Sequence, residues 1–198
     1  MSFSGVTTPA RTSTIWASRH TKEIAAAIAK RLGPVTAKPP EDPEAKLAAF
    51  TIPGAAPAIW KMIEGQLNET GVTLMTAEYG PRLVELERCA YLLPTVAHSK
   101  APDAAIVKSE FMFPFVTVVE CPQEQMIDKI GYTLVGTAIT ENETWARELT
   151  DATNIDRLNI GPIPTIRLDW LQPHEGNIID FLYRARAYQV PKEKLAKL

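Results

Sequence analysis

The chain has 198 residues, of which 45% are hydrophobic and 22% are charged, a balance typical of a globular domain rather than a disordered segment. Its 21 basic and 23 acidic residues leave a formal net charge of -2, so we expect neither nucleic acid nor an anionic membrane as a partner. No apolar run approaches the roughly 20 residues needed to span a bilayer, and the chain does not start like a signal peptide. These features predict a soluble, cytoplasmic protein with one hydrophobic core.

The two cysteines do not form a recognisable site. Cys89 and Cys121 are far apart, and neither has a second thiol or a histidine at metal-ligand spacing. We expect free, buried thiols in a reducing compartment. The chain also has no glycine-rich phosphate loop, no nucleophile elbow and no zinc-ligand spacing.

The first 68 residues predict one strand and three helices. Residues 1–11 are small and polar, so we expect a flexible end or a segment that a partner orders. A strand follows at Thr12–Trp16, and then a helix that Gly33-Pro34 ends. Its predicted buried face consists of Ile24, Ala27, Ile28 and Leu32. Two more helices are predicted at Glu44–Phe50 and Ala55–Asn68, the second burying Ile59, Leu67 and either Met62 or Ile63.

From Val72 the hydrophobic pattern changes to a period near two. It predicts three short strands, at Val72–Thr76, Leu83–Leu86 and Ala90–Val96, arranged as hairpin-like pairs at one side of a sheet. His98 follows them without an acidic or thiol neighbour at ligand spacing, and we expect it on the surface.

The rest of the chain alternates between apolar strands and amphipathic helices. The predicted elements are strand Phe115–Glu120, helix Gln123–Ile130, strand Tyr132–Thr140, helix Asn142–Leu149 and strand Ile155–Ile160. Such alternation predicts a mostly parallel sheet with helices on both faces, plus the short antiparallel strands at one side. We expect a single α/β domain over residues 12–190, ending in a helix capped by Asn177, and a flexible tail over 191–198.

Two segments carry candidate functional groups. Glu110 stands in a loop directly before the strand Phe115–Glu120, where a sheet could hold a carboxylate still for a ligand. The alternative is that Glu110 only solvates the strand end. His174-Glu175 could act as an acid/base pair or could anchor the loop before the last helix, and the second role is the more common one.

Four blocks of sequence, in order, resemble the C-terminal part of the aldehyde dehydrogenase superfamily over nearly the whole chain. They are Ser13-Thr14-Ile15-Trp16-Ala17-Ser18-Arg19, Tyr91-Leu92-Leu93-Pro94-Thr95-Val96, Glu110-Phe111-Met112-Phe113-Pro114-Phe115 and Leu158-Asn159-Ile160-Gly161. The third is similar to the family's Glu-x-Phe-Gly-Pro motif. The resemblance implies the catalytic-domain fold of that family and an oxidoreductase that uses NAD or NADP to oxidise an aldehyde to an acid.

The resemblance implies a role for three residues near the third block. Glu110 matches the glutamate that binds the hydroxyls of the nicotinamide ribose, and a carboxylate suits two vicinal hydroxyls because it accepts from both. Met112 takes the position of the family's phenylalanine near the nicotinamide, and Phe111 or Phe113 could supply the missing ring. Met112 and Phe113 are accordingly the candidates for a substrate pocket.

The chain departs from the family at the nucleophile, so we assign no catalytic residue. The family's cysteine would lie a few residues before Ser13, where this chain has no cysteine. Its cofactor domain would precede residue 1. We therefore expect the isolated chain to be inactive, to bind cofactor weakly or not at all, and to need an upstream cofactor-binding polypeptide. The alternative is a non-enzymatic binding or self-association module that keeps the fold. In both cases we expect a homo-oligomer, because an exposed domain surface tends to be covered by self-association.

Overall fold

A seven-stranded sheet forms the centre of the protein. The computed structural model describes residues 12–39, 41–163 and 182, together with the backbone of residues 3–7. The strands are β1 (Phe3–Thr7), β2 (Thr12–Ala17), β3 (Val72–Leu74), β4 (Leu83–Glu85), β5 (Ala90–Leu92), β6 (Thr95–Ser99), β7 (Phe115–Glu120), β8 (Thr133–Ile139) and β9 (Ile155–Ile160). The helices are α1 (Thr21–Leu32), α2 (Ala55–Leu67), α3 (Ala105–Lys108), α4 (Gln123–Ile130) and α5 (Glu143–Asp151), with a short 3-10 helix at Ala77–Tyr79.

The main sheet has the strand order β3-β6-β7-β2-β1-β8-β9, and β4 pairs with β5 in a separate antiparallel hairpin. Within the main sheet β6, β7, β2, β8 and β9 run in one direction, whereas β1 and β3 run against them. The prediction of a mostly parallel α/β sheet with short antiparallel strands at one side is confirmed.

Helices cover both faces of this sheet because its strands are apolar on both sides. On one face Ala25 and Ala29 of α1 pack against Val96 and Val118. On the other face α2 to α5 pack in a larger core, which includes Ile63, Ile106, Met126, Trp145, Leu149 and Phe115. The second half of the chain folds as its alternation predicts, and the bounds of β7, α4 and β9 agree with the prediction to the residue.

The structure corrects the prediction of a flexible end for residues 3–7, the part of residues 1–11 that it describes. Residues 3–7 form β1, which pairs with β2 from Phe3↔Ala17 to Thr7↔Ser13 and with β8 from Phe3↔Ile139 to Val6↔Gly136. Because both edges of this short segment bond to neighbouring strands, its small and polar composition does not leave it flexible.

The predicted helix at Glu44–Phe50 is wrong. The Asp42 carboxylate accepts the Glu44 N–H at 2.8 Å, which favours a turn over a helix. Phe50 instead exchanges two backbone hydrogen bonds with Ala90, at 2.8 and 3.2 Å. The predicted strand Ala90–Val96 is also divided in two, since β5 ends at Leu92 and β6 begins at Thr95 after Pro94.

The buried faces of the first two helices differ slightly from those predicted. In α1 the fully buried positions are Ala25 and Ala29, and Ala27 is exposed. In α2 Ile63 is fully buried whereas Met62 is 49% exposed, so Ile63 and not Met62 belongs to the buried face.

His98 is buried and not on the surface as predicted. It is 4% exposed, and its Nε2 lies 2.9 Å from the Thr21 hydroxyl of α1. The strand β6 that carries it lies between β3 and β7 and beneath α1, so no side chain of that strand reaches solvent. Three predictions, the helix capped by Asn177, the His174-Glu175 segment and the tail at 191–198, fall outside the described residues.

Candidate functional site

The loop Lys108–Pro114, called the Glu110 loop below, connects α3 to β7 and is fixed at its backbone. The Thr12 hydroxyl, at the start of β2, both accepts from the Phe111 N–H and donates to the Phe111 carbonyl, each at 2.7 Å. At the end of the loop the Thr95 N–H donates to the Pro114 carbonyl at 3.0 Å. The loop is therefore held to β2 and β6 just as a paired strand would be.

Side chains of the Glu110 loop alternate between core and solvent. Phe111 and Phe113 are each 3% exposed, and their ring centroids lie 5.9 Å apart. The ring of Phe115, the first residue of β7, lies 4.6 Å from that of Phe111 and 5.7 Å from that of Phe113. Such tilted and edge contacts between rings stabilise a core beyond the burial of their area. Glu110 and Met112, which alternate with these rings, are exposed and therefore point outward.

A second set of hydrogen bonds supports the start of the loop. Gln66 of α2 donates through Nε2 to the Ser109 hydroxyl, and that hydroxyl donates to the Ala105 carbonyl, both at 2.9 Å. The Thr14 hydroxyl of β2 donates to the Val107 carbonyl at 3.3 Å. Two different elements thus fix the residues on the amino-terminal side of Glu110.

The charges around Glu110 leave its carboxylate available. Its neighbour Lys108 contacts Asp103 at 3.2 Å, and Lys129 of α4 also donates to Asp103. These bonds, first from Lys129 and then from Lys108, lower the pKa of Asp103. The nearest cation in sequence is therefore already paired, and within the described residues the Glu110 carboxylate has no hydrogen-bond or ion-pair partner. Its oxygens can accept from a ligand.

Glu110 lines a cleft of about 180 Å³ beside the face of β2 that carries Thr12, Thr14 and Trp16. The residues around it are Thr12, Thr14, Trp16, Val107, Lys108, Ser109, Glu110, Ile130, Tyr132 and Thr133. This volume corresponds to about six water molecules at ~30 Å³ each, which suits one sugar ring and is too small for a dinucleotide. The lining combines apolar side chains, such as Trp16 and Val107, with hydroxyls and charges, so the cleft fits a small polar ligand with one apolar side.

Tyr132, which directly precedes β8, lines the same cleft as Glu110. It is not predicted from the sequence as a site residue. Its side chain is 71% exposed, and its hydroxyl donates to the Asp156 carboxylate of β9. The sequence contains one signal for it, a large aromatic residue directly after Gly131. Gly131 has a positive φ of 69° and lies between α4 and β8. The sequence pattern places Tyr132 in the predicted strand Tyr132–Thr140, whereas β8 begins one residue later, at Thr133.

The remaining candidates lie elsewhere. Met112 is 58% exposed and is not part of the cleft lining. Phe113, expected to line a substrate pocket, is instead buried among the rings of the core, as is Phe111. Neither ring can therefore take the outward position of Met112 without unpacking that core.

Neither thiol lines the cleft. Cys121 is fully buried, and burial raises the pKa of its thiol, whereas Cys89 is half-buried in the turn between β4 and β5. Both are free, as predicted. In the part of the chain that the structure describes, no group of three or more histidine, cysteine or acidic side chains could hold a metal ion. Over the same residues no helix is both long and apolar enough to cross a bilayer.

The fold is similar to that of aldehyde dehydrogenases from Bacillus cereus. A mutant form of that enzyme aligns with 81% of this chain at 20% identity and a TM-score of 0.62, and its complex with NAD+ aligns with 81% at 18% identity and a TM-score of 0.61. This chain covers 32% of the length of each of those structures. At this level of identity the likeness shows the fold alone. No family model and no curated protein matches the sequence.

Proposed function

We propose that this chain, which has the fold of part of an aldehyde dehydrogenase, is the catalytic-domain portion of an NAD(P)-dependent oxidoreductase and binds the nicotinamide ribose through Glu110. One observation carries the proposal: a carboxylate that no other described residue pairs stands on a rigid loop at a cleft with room for one sugar ring. An ionised carboxylate accepts hydrogen bonds from two neighbouring hydroxyls at once, and such charge-assisted bonds are stronger than neutral ones. The NAD+ complex among the similar structures supports the choice of ligand.

The isolated chain should bind the whole cofactor only weakly. A cleft of about 180 Å³ has room for about one ribose, so the pyrophosphate and adenine of the whole cofactor would lie outside it. The partner that completes the site would be a cofactor-binding polypeptide or domain, which would also have to bring the nucleophile. Neither Cys121, buried and with a raised pKa, nor Cys89, outside the cleft, is placed to attack an aldehyde held there.

Binding of nicotinamide mononucleotide, followed by NMR, tests this proposal. The wild-type chain should bind with a dissociation constant of order 1 mM, and Glu110→Gln should weaken binding by about tenfold or more, because it removes a charge-assisted acceptor pair. Glu148→Gln is the matched control: it makes the same change on the exposed face of α5 and should bind like the wild type. Equal binding by Glu110→Gln and the wild type would contradict the proposal.

The second candidate is a non-enzymatic binding or self-association module, and the position of the two thiols favours it. Two measurements separate the candidates. Aldehyde-dependent reduction of NAD+ or NADP+ after mixing the chain with a cofactor-binding polypeptide would support the oxidoreductase. Self-association in sedimentation experiments, together with no binding of nicotinamide mononucleotide, would support the module.

A further inference from the structure

We infer that Tyr132 is a stacking platform for the planar ring of a nucleoside-type ligand, whose sugar Glu110 binds in the same cleft. The inference rests on the proposed function for the position of the sugar, and it adds the element that recognises the ring. It assigns to the cleft an N-glycoside, a ligand with a sugar diol at one end and a flat heterocycle at the other.

The exposure of Tyr132 is the first observation. Tyrosine usually buries most of its ring, and a fully buried aromatic side chain removes about 150–250 Å² from water. Tyr132 is 71% exposed, and among the large hydrophobic residues that the structure describes only Ile52, at 72%, is more exposed. An exposed ring that forms part of a cleft is available for contact with a ligand.

The ring is also held in place before any ligand binds. Its hydroxyl donates to the Asp156 carboxylate, and Asp156 follows Ile155, which pairs with Thr133 in the β8–β9 ladder. The backbone on one side of Tyr132 is fixed by Thr133, whose N–H donates to the Asn154 carbonyl at 2.8 Å. A side chain anchored at both ends loses little rotamer freedom on binding, so a stacking contact there stabilises a complex more effectively.

The composition of the cleft matches the two ends of such a ligand. Glu110 and Ser109 supply polar groups on the α3 side, and Tyr132 with Ile130 supplies apolar surface on the β8 side. The volume of about 180 Å³ holds a sugar ring and leaves the heterocycle toward solvent, and of the two aromatic residues in the lining Tyr132 is exposed whereas Trp16 is buried. Bases stack on aromatic side chains with little dependence on their identity, because each presents a π-face.

Two ligands and three variants test the inference. Nicotinamide mononucleotide has both a ring and a sugar, whereas ribose 5-phosphate has only the sugar. Tyr132→Ala should weaken binding of nicotinamide mononucleotide by about tenfold and leave ribose 5-phosphate unchanged. Tyr132→Phe keeps the ring and loses the bond to Asp156, so its effect should be intermediate. Glu110→Gln should weaken both ligands.

The ligand spectrum provides a direct readout of stacking. In the wild-type chain the nicotinamide protons should move upfield from the ring current of Tyr132, and this shift should vanish in Tyr132→Ala. Because the side chain is mostly exposed, Tyr132→Ala should keep the wild-type circular dichroism and melting temperature.

The outcomes separate this inference from the proposed function. If Glu110→Gln weakens both ligands while Tyr132→Ala binds nicotinamide mononucleotide like the wild type, stacking is overturned and the ribose site stands. If the wild-type chain binds neither ligand, the proposed function fails and the inference fails with it.

Discussion

At the scale of single residues, Thr12 does most to position Glu110. One hydroxyl satisfies both the N–H and the carbonyl of Phe111, the residue next to the candidate ligand. Both groups are buried with it, since Thr12 is 5% exposed and Phe111 is 3% exposed. Without that hydroxyl, two buried backbone groups would lose a partner that water cannot easily replace.

Thr12→Val should therefore destabilise the protein and weaken the site. We expect a loss of about 1–3 kcal/mol in the free energy of unfolding, since valine has the same shape but leaves the two Phe111 groups unsatisfied. Thr14→Val is the control on the same strand and the same cleft, and it should cost less because its one bond to Val107 is 3.3 Å long and only partly buried. Urea unfolding measures both. Equal losses in the two variants would contradict the role of Thr12.

His98 gives the stability a dependence on pH. Burial lowers the pKa of His98; Glu120 opposes this effect, and Lys100 and Lys22 add to it. The folded chain thus keeps the ring neutral at a pH where the unfolded chain, with an ordinary pKa of about 6.5, already binds a proton. Stability from this group is present above about pH 6.5 and is lost as the pH falls below that value.

Replacing the His98 imidazole should make the free energy of unfolding depend less on pH. Between about pH 7.5 and about pH 5.5 the wild-type chain should lose stability, and His98→Gln should lose less over the same range, because glutamine can bond to Thr21 without titrating. Urea unfolding at the two pH values measures the difference. A loss of the same size in both proteins would show that His98 does not control it.

At the scale of the elements, two glycines differ in what surrounds them. Gly33 ends α1, and a Cβ at that position would lie 2.2 Å from the Tyr79 ring. Arg82 closes the same junction by donating to the carbonyls of Gly33 and Tyr79, at 3.1 and 3.0 Å, and to that of Pro94 at 3.3 Å. Gly65 lies inside α2, where a Cβ would meet nothing within 4 Å.

The same substitution should have opposite effects at these two positions. Gly33→Ala should destabilise by about 1–3 kcal/mol, because the Tyr79 ring must move out of a packed junction. Gly65→Ala should stabilise by about 0.5–1 kcal/mol, because alanine restricts the unfolded chain and suits a helix interior. Thermal unfolding of the two variants checks the signs, and a stabilised Gly33→Ala would rule out the proposed clash.

Local signals account for most of the elements that the sequence predicted correctly. Four of the six residues in Phe115–Glu120 are apolar, and the helices after it are amphipathic and flanked by turn residues, so nothing distant is needed to define them. The failures at Phe50 and His98 have the opposite origin. Phe50 pairs with Ala90, and His98 bonds to Thr21, 77 positions away, and no local pattern encodes such partners.

In the candidate site, too, the residue with a local sequence signal was predicted and the residue that depends on distant elements was not. Glu110 was predicted because it stands next to a strong strand signal and within a motif-like block. Tyr132 was missed because its exposure depends on where β8 and β9 lie relative to the Glu110 loop. The cleft also lies along one face of β2, from Thr12 to Trp16, whereas ligands of open α/β sheets usually bind beyond the carboxyl ends of the strands, so fold class alone would not have located it.

At the scale of the whole molecule, β1 joins the two parts of the sheet. It separates β3-β6-β7-β2 from β8-β9 and bonds to both sides, and the cleft is lined from both sides of it, by Thr12 of β2 and Thr133 of β8. The geometry between Glu110 and Tyr132 is therefore set by a strand that contributes neither of them.

Gly5→Pro should disrupt this connection. Gly5 pairs with Ile15 on one side and Thr137 on the other, and proline removes an N–H from a strand that has neighbours on both edges. We expect faster amide hydrogen exchange in β8 and β9 and weaker binding of nicotinamide mononucleotide. Gly5→Ala keeps the N–H and serves as the control. Unchanged exchange in β8 with Gly5→Pro would show that β1 is not required to join the two parts.

Buried and exposed side chains alternate along the Glu110 loop, so neighbouring residues are under different selection, either for folding or for ligand binding. Substitutions at the inward positions 111 and 113 alter the aromatic core, so they are constrained by folding. Substitutions at the outward positions 110 and 112 change exposed side chains rather than that core, since Met112 is 58% exposed and Glu110 bonds to no other described residue. A lineage with this loop could therefore change its ligand by mutation at alternate positions while its fold stayed the same.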